Sequence, residues 1–335
     1  MQLNSGKRDV PLSASVDNSM RLKKRAVLSG SQALKAKLVG QMPLSSQSKN
    51  AASALNDTRI LLHYPNLVPA RLIRRYKRFL ADVVLLDKTS KIELTDQEEV
   101  TVYCPNTGPM VGLLDGLPNT RVQLSKSDDP KRKYAYTLEM IQIHNGDKLV
   151  WVGVHSALAN RMVEQALTLR WLTELGDYDT VRREVKFAKN SRVDFVLTAK
   201  ADDGTVLHEK YVEVKSVTLA LESSCSSVSR CAVFPDTVSS RAQKHVKELT
   251  ELVSTKARNY AKSNENVSVA IVFIVQREDC HMFTPSIHYD KQFASLCSLA
   301  ANSGIQLLCY SCGLTIDESS ASGTVKLLGP LPFQH

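Results

Sequence analysis

Two strand-like segments hold the residues with the most chemical promise. In Arg192-Val193-Asp194-Phe195-Val196-Leu197 an aspartate interrupts an apolar, β-branched run. In Tyr211-Val212-Glu213-Val214-Lys215-Ser216 a glutamate and a lysine do the same. A charge inside such a run is costly unless something pairs with it. Glu213 and Lys215 are two apart, so on a strand they share a face. If that face lines a cleft, Asp194, Glu213 and the backbone carbonyl of Val214 could hold one hard cation, Mg²⁺ or Mn²⁺. Such ions take oxygen ligands, often one or two carboxylates plus phosphate oxygens. Lys215 would point at the same space and could hold an attacking water or a developing phosphate charge. Glu184 and Glu164 are candidate additional acids. The chemistry implied is metal-assisted phosphodiester hydrolysis. A strand with its charges on a solvated face would show the same letters, so the surrounding sequence has to decide.

Basic residues group at three places. Arg71, Arg74, Arg75, Lys77 and Arg78 interleave with Tyr76 and Phe79. Lys131, Arg132 and Lys133 precede Tyr134 and Tyr136. Arg241, Gln243, Lys244, His245 and Lys247 open a helical segment, where free backbone N–H groups also favour phosphate. Lys and Arg contacts to phosphates provide salt-dependent affinity, and aromatics offer stacking platforms for bases. The partner expected is DNA, with RNA as the alternative. The aromatics could equally be core, and the bases a solvated face.

The elements that must position these residues come in two textures. From Arg71 to His155 short strands dominate: Ile73–Leu86 as one long strand, then Glu99–Cys104, Arg121–Lys126, Tyr134–His144 and Lys148–His155. Turn signals such as Asp115-Gly116 and Asn145-Gly146-Asp147 separate them. About five short strands suit a small barrel such as the OB-fold. After His155 the period changes. Ser156–Leu175 is helical, with Gly176 to end it. Strands follow at Val181–Ala188, Arg192–Ala199 and Val206–Thr218. Glu222–Val233, rich in Ser and Cys, reads as a loop. A second helix starts near Asp236, a natural N-cap. Strand Val267–Val275, helix Lys291–Ser303 and strand Gly304–Tyr310 complete the pattern. The order helix, three strands, helix, strand is that of the PD-(D/E)xK nuclease core. The expected fold is α+β or α/β: residues 58–150 an OB-like barrel, residues 151–335 a nuclease-like αβββαβ domain.

Composition sets outer bounds. The 335 residues allow roughly two domains of about 100–200 residues each. No stretch approaches the ~20 apolar residues of a membrane span. Net charge is +9, but residues 1–57 hold nine bases and only three acids, leaving the rest mildly basic. That Ser-rich, acid-poor segment suits a transit peptide or a disordered extension. It would direct the chain to a plastid or mitochondrion; otherwise cytoplasm or nucleus is expected. Seven scattered cysteines argue against a disulfide scaffold. Cys309-x-x-Cys312 has half the spacing of a zinc site, but no second pair matches, and a buried strand is the favoured reading.

The chain resembles the sugar fermentation stimulation protein (SfsA) family. The segments that carry the resemblance are Arg71-Leu-Ile-Arg-Arg-Tyr-Lys-Arg-Phe-Leu-Ala-Asp82, Cys104-Pro-Asn-Thr-Gly-Pro-Met110, Lys131-Arg-Lys-Tyr134, Ala159-Asn-Arg161, Ser191-Arg-Val-Asp-Phe195, Tyr211-Val-Glu-Val-Lys-Ser-Val-Thr218, Phe234-Pro-Asp236 and Gln243-Lys-His245. They occur in family order between Leu62 and Leu314. The resemblance implies an N-terminal OB-like domain and a C-terminal PD-(D/E)xK-like domain. It also implies non-specific DNA binding, linked in bacteria to regulation of sugar use. The matching acid and lysine positions are Asp194, Glu213 and Lys215. The N-terminal extension and a longer serine-rich segment at Leu219–Val233 depart from bacterial members, and the extension suggests a eukaryotic version.

Two readings follow. One is a Mg²⁺- or Mn²⁺-dependent nuclease. The other is a DNA-binding regulatory protein that keeps the fold without the chemistry. A small-molecule or protein partner at the barrel mouth is a third, with little in the sequence to favour it.

Overall fold

The computed structural model describes residues 59–86, 99–223, 226–263 and 266–334. The extension of residues 1–57, with its targeting expectation, lies outside the described residues. The first strand, β1 (Ile60–Tyr64), is followed by six that build a barrel: β2 (Leu67–Tyr76), β3 (Leu80–Leu85), β4 (Glu99–Tyr103), β5 (Thr120–Lys126), β6 (Tyr136–Asn145) and β7 (Lys148–Gly153). Their order is β4-β3-β2-β5-β6-β7. A parallel pairing of Tyr103 with Thr137 joins β4 to β6 and closes five of them into a ring. Alternating residues such as Leu72, Val83, Val102, Val122, Leu124 and Leu138 fill the interior. Period-2 side chains on a closed sheet make one face the core.

The long strand expected over Ile73–Leu86 is instead a hairpin. Lys77 and Arg78 turn the chain with φ of 49° and 64°. Neither is a usual turn former, so no Gly, Asn or Asp signals the reversal.

The second part opens with α1 (Leu158–Thr168) and a 3-10 turn at Thr173–Leu175, closed by Gly176 at φ 77°. The single helix expected over Ser156–Leu175 thus stops about two turns early. Then come β8 (Thr180–Ala188), β9 (Ser191–Lys200), β10 (Val206–Val217), β11 (Ala220–Ser223), β12 (Ser226–Phe234), α2 (Ser240–Ser263), β13 (Asn266–Val275), β14 (Cys280–Pro285), α3 (Lys291–Asn302), β15 (Gln306–Asp317) and β16 (Ser322–Pro330). Seven strands form a mixed sheet in the order β1-β16-β15-β13-β10-β9-β8. From Val269 to Val275 β13 is a continuous buried apolar run, as a central parallel strand flanked on both faces must be. One face packs on α1 through Met162, Val163 and Ala166. The other packs on α2 and α3 through Val246, Leu249, Phe293 and Cys297.

Three further differences stand out. β1 pairs with β16, so the segment expected as barrel, 58–150, opens with a strand of the other sheet. The segment expected as a loop, Glu222–Val233, is mostly strand: β11 and β12 join β14 in a small sheet. Asp236 does not cap α2. The helix starts four residues later, and Ser239 Oγ accepts from Ala242 N–H at 3.3 Å in the capping position. Cys309 and Cys312 are buried on opposite faces of the large sheet, so they cannot chelate one zinc. Among the described residues no helix is long and apolar enough to cross a membrane.

Candidate active site

Asp194 and Glu213 sit where β9 and β10 part. The antiparallel ladder between them runs as far as Val212 opposite Phe195. At the next position Val214 N–H donates to the Asp194 carboxylate, Oδ2, at 2.7 Å. An aspartate side chain therefore takes a backbone acceptor's place, at the point where the strands diverge into a cavity of about 1100 Å³. Asn160 on α1 holds the other Asp194 oxygen, donating from Nδ2 at 2.7 Å.

Glu213 is 3% exposed. Its Oε1 accepts from Lys215 Nζ and from His245 Nδ1 on α2, the latter at 2.5 Å. Its Oε2 is buried and has no hydrogen-bond partner among the described residues. A buried carboxylate oxygen without a donor is unusual enough to need a cause. The two acids differ electrostatically. Burial pushes the Asp194 carboxyl up, and the neighbouring charge of Glu213 adds to this; the bond from Val214, Lys215 and Asn160 only partly offset it. Burial also acts to raise Glu213, but Lys215 and His245 outweigh it and hold that carboxyl below its ordinary value.

The same cavity is lined by Glu184, Lys186, Lys189, Arg192, Arg241 and Lys244. Glu184, on β8, has φ of 50° and lies opposite Asp194 of β9, between the pairs Arg183–Phe195 and Val185–Val193. Lys186, Lys189 and Arg192 flank the β8–β9 turn and form a basic rim. Arg241 and Lys244 extend it from the start of α2, where Lys244 also approaches Glu248 at 3.7 Å.

Other expected residues are placed elsewhere. Glu164 pairs with Arg183 at 2.6 Å, outside the cavity. Gln243 Nε2 donates to both oxygens of Asp290, at 2.8 and 3.0 Å, so it ties α2 to α3 and does not reach the cavity. Arg74 is held by Asp82 at 2.7 Å. Arg75 donates to the backbone carbonyls of Arg78, Asn106 and Gly108, a structural staple within the barrel. Arg71 meets Asn119 at 3.3 Å and Arg132 meets Thr137 at 2.7 Å. Lys77, Lys131 and Lys133 are exposed on the barrel, with Lys133 Nζ 5.4 Å from the Tyr134 ring centre. None of these seven barrel bases lines the acid cavity. Sequence reasoning missed Asn160, the His245–Glu213 contact and the Lys186–Lys189–Arg192 rim. The available signal for the rim was three bases around a two-residue turn leading straight into the Asp194 strand.

Among the described residues no three His, Cys, Asp or Glu side chains form a metal-holding group. The oxygens present still fit a hard cation. Two carboxylates, one with an unpartnered oxygen and one whose charge the site disfavours, are a donor set to be completed by a backbone carbonyl, water and phosphate. A soft or nitrogen-seeking ion has no thiolate there, and His245 already faces Glu213.

An OB domain followed by an α+β domain with an acid-bearing cavity defines the class of protein. The model of the SfsA N-terminal OB domain matches residues 73–154, and that of the sugar fermentation stimulation protein RE domain matches residues 157–318. A sugar fermentation stimulation protein homolog of Acaryochloris marina is 41% identical over 249 residues, 74% of this chain and 88% of the relative. One from Shewanella sp. (strain MR-7) is 39% identical over 259 residues, 77% of this chain and 95% of that one. The solved structure of Pyrococcus furiosus SfsA in complex with Ca²⁺ superposes with a TM-score of 0.63 at 21% identity, over 82% of this chain and 99% of that one. The chain belongs to the sugar fermentation stimulation protein family.

Proposed function

We propose that this protein binds nucleic acid along the basic rim of the acid cavity and hydrolyses a phosphodiester there with a bound divalent cation. The observation that carries the proposal is the Glu213 oxygen, buried without a partner beside Asp194 in a cavity edged by lysine and arginine. Asp194, Glu213 and the Val214 carbonyl would hold Mg²⁺ or Mn²⁺. The solved relative in complex with Ca²⁺ is in keeping with a hard-cation site. When bound, the cation supplies charge neutralisation for the phosphoryl oxygens and acidifies a water. The protein's own groups do the rest. Asn160 and the Val214 N–H fix Asp194. His245 anchors Glu213, and its bond leaves Oε2 clear. Lys215 stands beside both acids, able to orient a water or stabilise a non-bridging oxygen. Lys186, Lys189 and Arg192 hold flanking phosphates by charge, without reading sequence.

A second reading has one observation in its favour. Glu213 Oε1 is already engaged by Lys215 and His245, and buried ion-pair networks can persist for structure alone. The protein would then be a DNA-binding regulator without catalysis. The deciding assay titrates Mn²⁺ and Mg²⁺ against labelled DNA and RNA, with Asp194→Ala and Lys215→Ala as controls. Cleavage by the native protein that both variants lack supports hydrolysis. Binding without cleavage at any cation concentration rejects it in favour of the regulator.

A further inference from the structure

A second cavity, about 430 Å³, opens beside the acid cavity and shares Val214, Lys215, Ser240 and Arg241 with it. Its volume lies within the roughly 300–1,000 Å³ usual for small-ligand pockets. One wall is barrel: Arg78 at the β2–β3 turn and the loop Asn106–Gly108. The other is the segment leading from β12 into α2. Both walls are fixed. Arg75 donates to Asn106 O and Gly108 O at 2.7 and 2.8 Å. Asp236 Oδ2 accepts from Met110 N–H at 3.0 Å. A Cβ added to Gly108 would lie only 2.9 Å from Asp236 Oδ1, so the two walls meet at backbone distance. Asp236, the one acid lining this cavity among the described residues, is thereby taken up by the barrel loop. Groups open to a ligand include Arg78, the side chain of Val238, 69% exposed, and the Ser216 hydroxyl. Ser216 Oγ accepts from Gln276 Nε2 at 2.7 Å, which leaves its own proton to donate. A guanidinium on one wall, an apolar side chain on the other and a hydroxyl donor suit a flat heterocycle with acceptor edges.

We infer that this cavity receives one unpaired nucleotide of the strand whose phosphate lies in the acid cavity, an inference that rests on the function proposed above. A base still paired would bring its partner strand into a slot bounded on both sides by protein. The nucleotide must therefore leave the stack, which is costly in a duplex and cheap in a single strand or at a frayed end. The protein accordingly prefers single strands over blunt duplexes.

The test is fluorescence anisotropy on the full chain without divalent cations, using a labelled single-stranded oligonucleotide and a blunt duplex of the same sequence. Val238→Ser should take away the apolar contact and weaken single-strand binding about tenfold, the scale of one small apolar side chain no longer buried, while changing duplex binding less than twofold. Arg78→Glu, on the opposite wall, should repeat the single-strand loss. Circular dichroism confirms that both variants are folded. Equal losses on both substrates, or no loss with either variant, would overturn the inference. Lys186→Glu separates the two levels. If it weakens both substrates while the cavity variants do nothing, the nucleotide pocket alone falls. If it is silent on both, the proposed function falls and this inference with it.

Discussion

Glu213→Gln and Asp194→Asn each remove one negative charge from the same cavity, yet they should affect the metal-free protein differently. Glu213 is 3% exposed, and its Oε1 faces Lys215, whose side chain is 11% exposed, and His245. The amide takes from Lys215 the carboxylate it is bonded to and leaves Asp194 as the remaining acid acting on it. Breaking one side of a buried pair costs roughly 3–5 kcal/mol. The amide still accepts a hydrogen bond and Lys215 keeps some solvent contact, so a loss of about 3 kcal/mol is expected. Asp194 stands in the opposite state. Burial and the Glu213 charge disfavour its ionised form, so neutralising it brings relief. Against that, one amide oxygen cannot serve both Asn160 Nδ2 and Val214 N–H, and a bond to a charged acceptor contributes about 1.5–3 kcal/mol. The two effects oppose, and Asp194→Asn should stay within about 1 kcal/mol of the native protein. Urea unfolding near pH 7 with EDTA measures both. Repeated with Mn²⁺ at about a hundredfold its dissociation constant, the native protein should gain about 2.7 kcal/mol and neither variant anything. The reasoning is refuted if Asp194→Asn loses as much as Glu213→Gln in EDTA, or if either variant keeps the gain from Mn²⁺.

Four other outcomes follow from the same geometry. The raised Asp194 carboxyl contributes stability that is present below about pH 3.9 and lost as pH rises through its folded value, whereas the depressed Glu213 contributes stability above about pH 4.3 that is lost as pH falls through its own; Mn²⁺ affinity by calorimetry should therefore fall as acidification protonates Asp194, and a flat profile would remove that residue from the site. Lys186→Glu and Lys189→Glu should each lower DNA affinity and reduce the slope of log affinity against log salt by about 0.9, with unchanged slopes pointing to another surface. Arg75→Ala should lower the melting temperature of the protein and leave duplex DNA affinity unchanged, because its partners are the barrel's own carbonyls; a stable variant with weaker duplex binding would reverse that assignment. Burial pushes the thiols of Cys280, Cys297 and Cys312 up to about 12, so a disulfide reagent at about pH 8 should leave them unmodified until urea is added.

The acid–lysine site was legible because its residues are local anomalies. Asp194 and Glu213 each break an apolar run, and the same runs identify β9 and β10 as buried strands. Their meeting depends only on those strands being neighbours. The helices α1 and α3 were legible for similar reasons of period. What escaped was set by partners far along the chain. Arg75 and Arg241 are the same residue type, and nothing local shows that one grips backbone carbonyls while the other faces a cavity. Gln243 beside Lys244 and His245 looked like part of a phosphate site, but Asp290, 47 residues on, captures it. The β11–β12 hairpin was hidden by serines and cysteines, which have little strand propensity and gain their order from pairing with β14. The β2–β3 turn was hidden by residues that rarely adopt left-handed backbone.

The union of β1 with β16 has a consequence for how the protein comes into being. Leu62 lies opposite Val325, so the chain must travel more than 250 residues before the large sheet acquires its outermost member. The barrel is in effect spliced into that sheet's connectivity and can mature first, on the ribosome, while Ile60–Tyr64 waits for its mate. Until then, and in any fragment beginning after the barrel, β16 presents a naked row of amides and carbonyls, the kind of margin on which immature copies stick to one another.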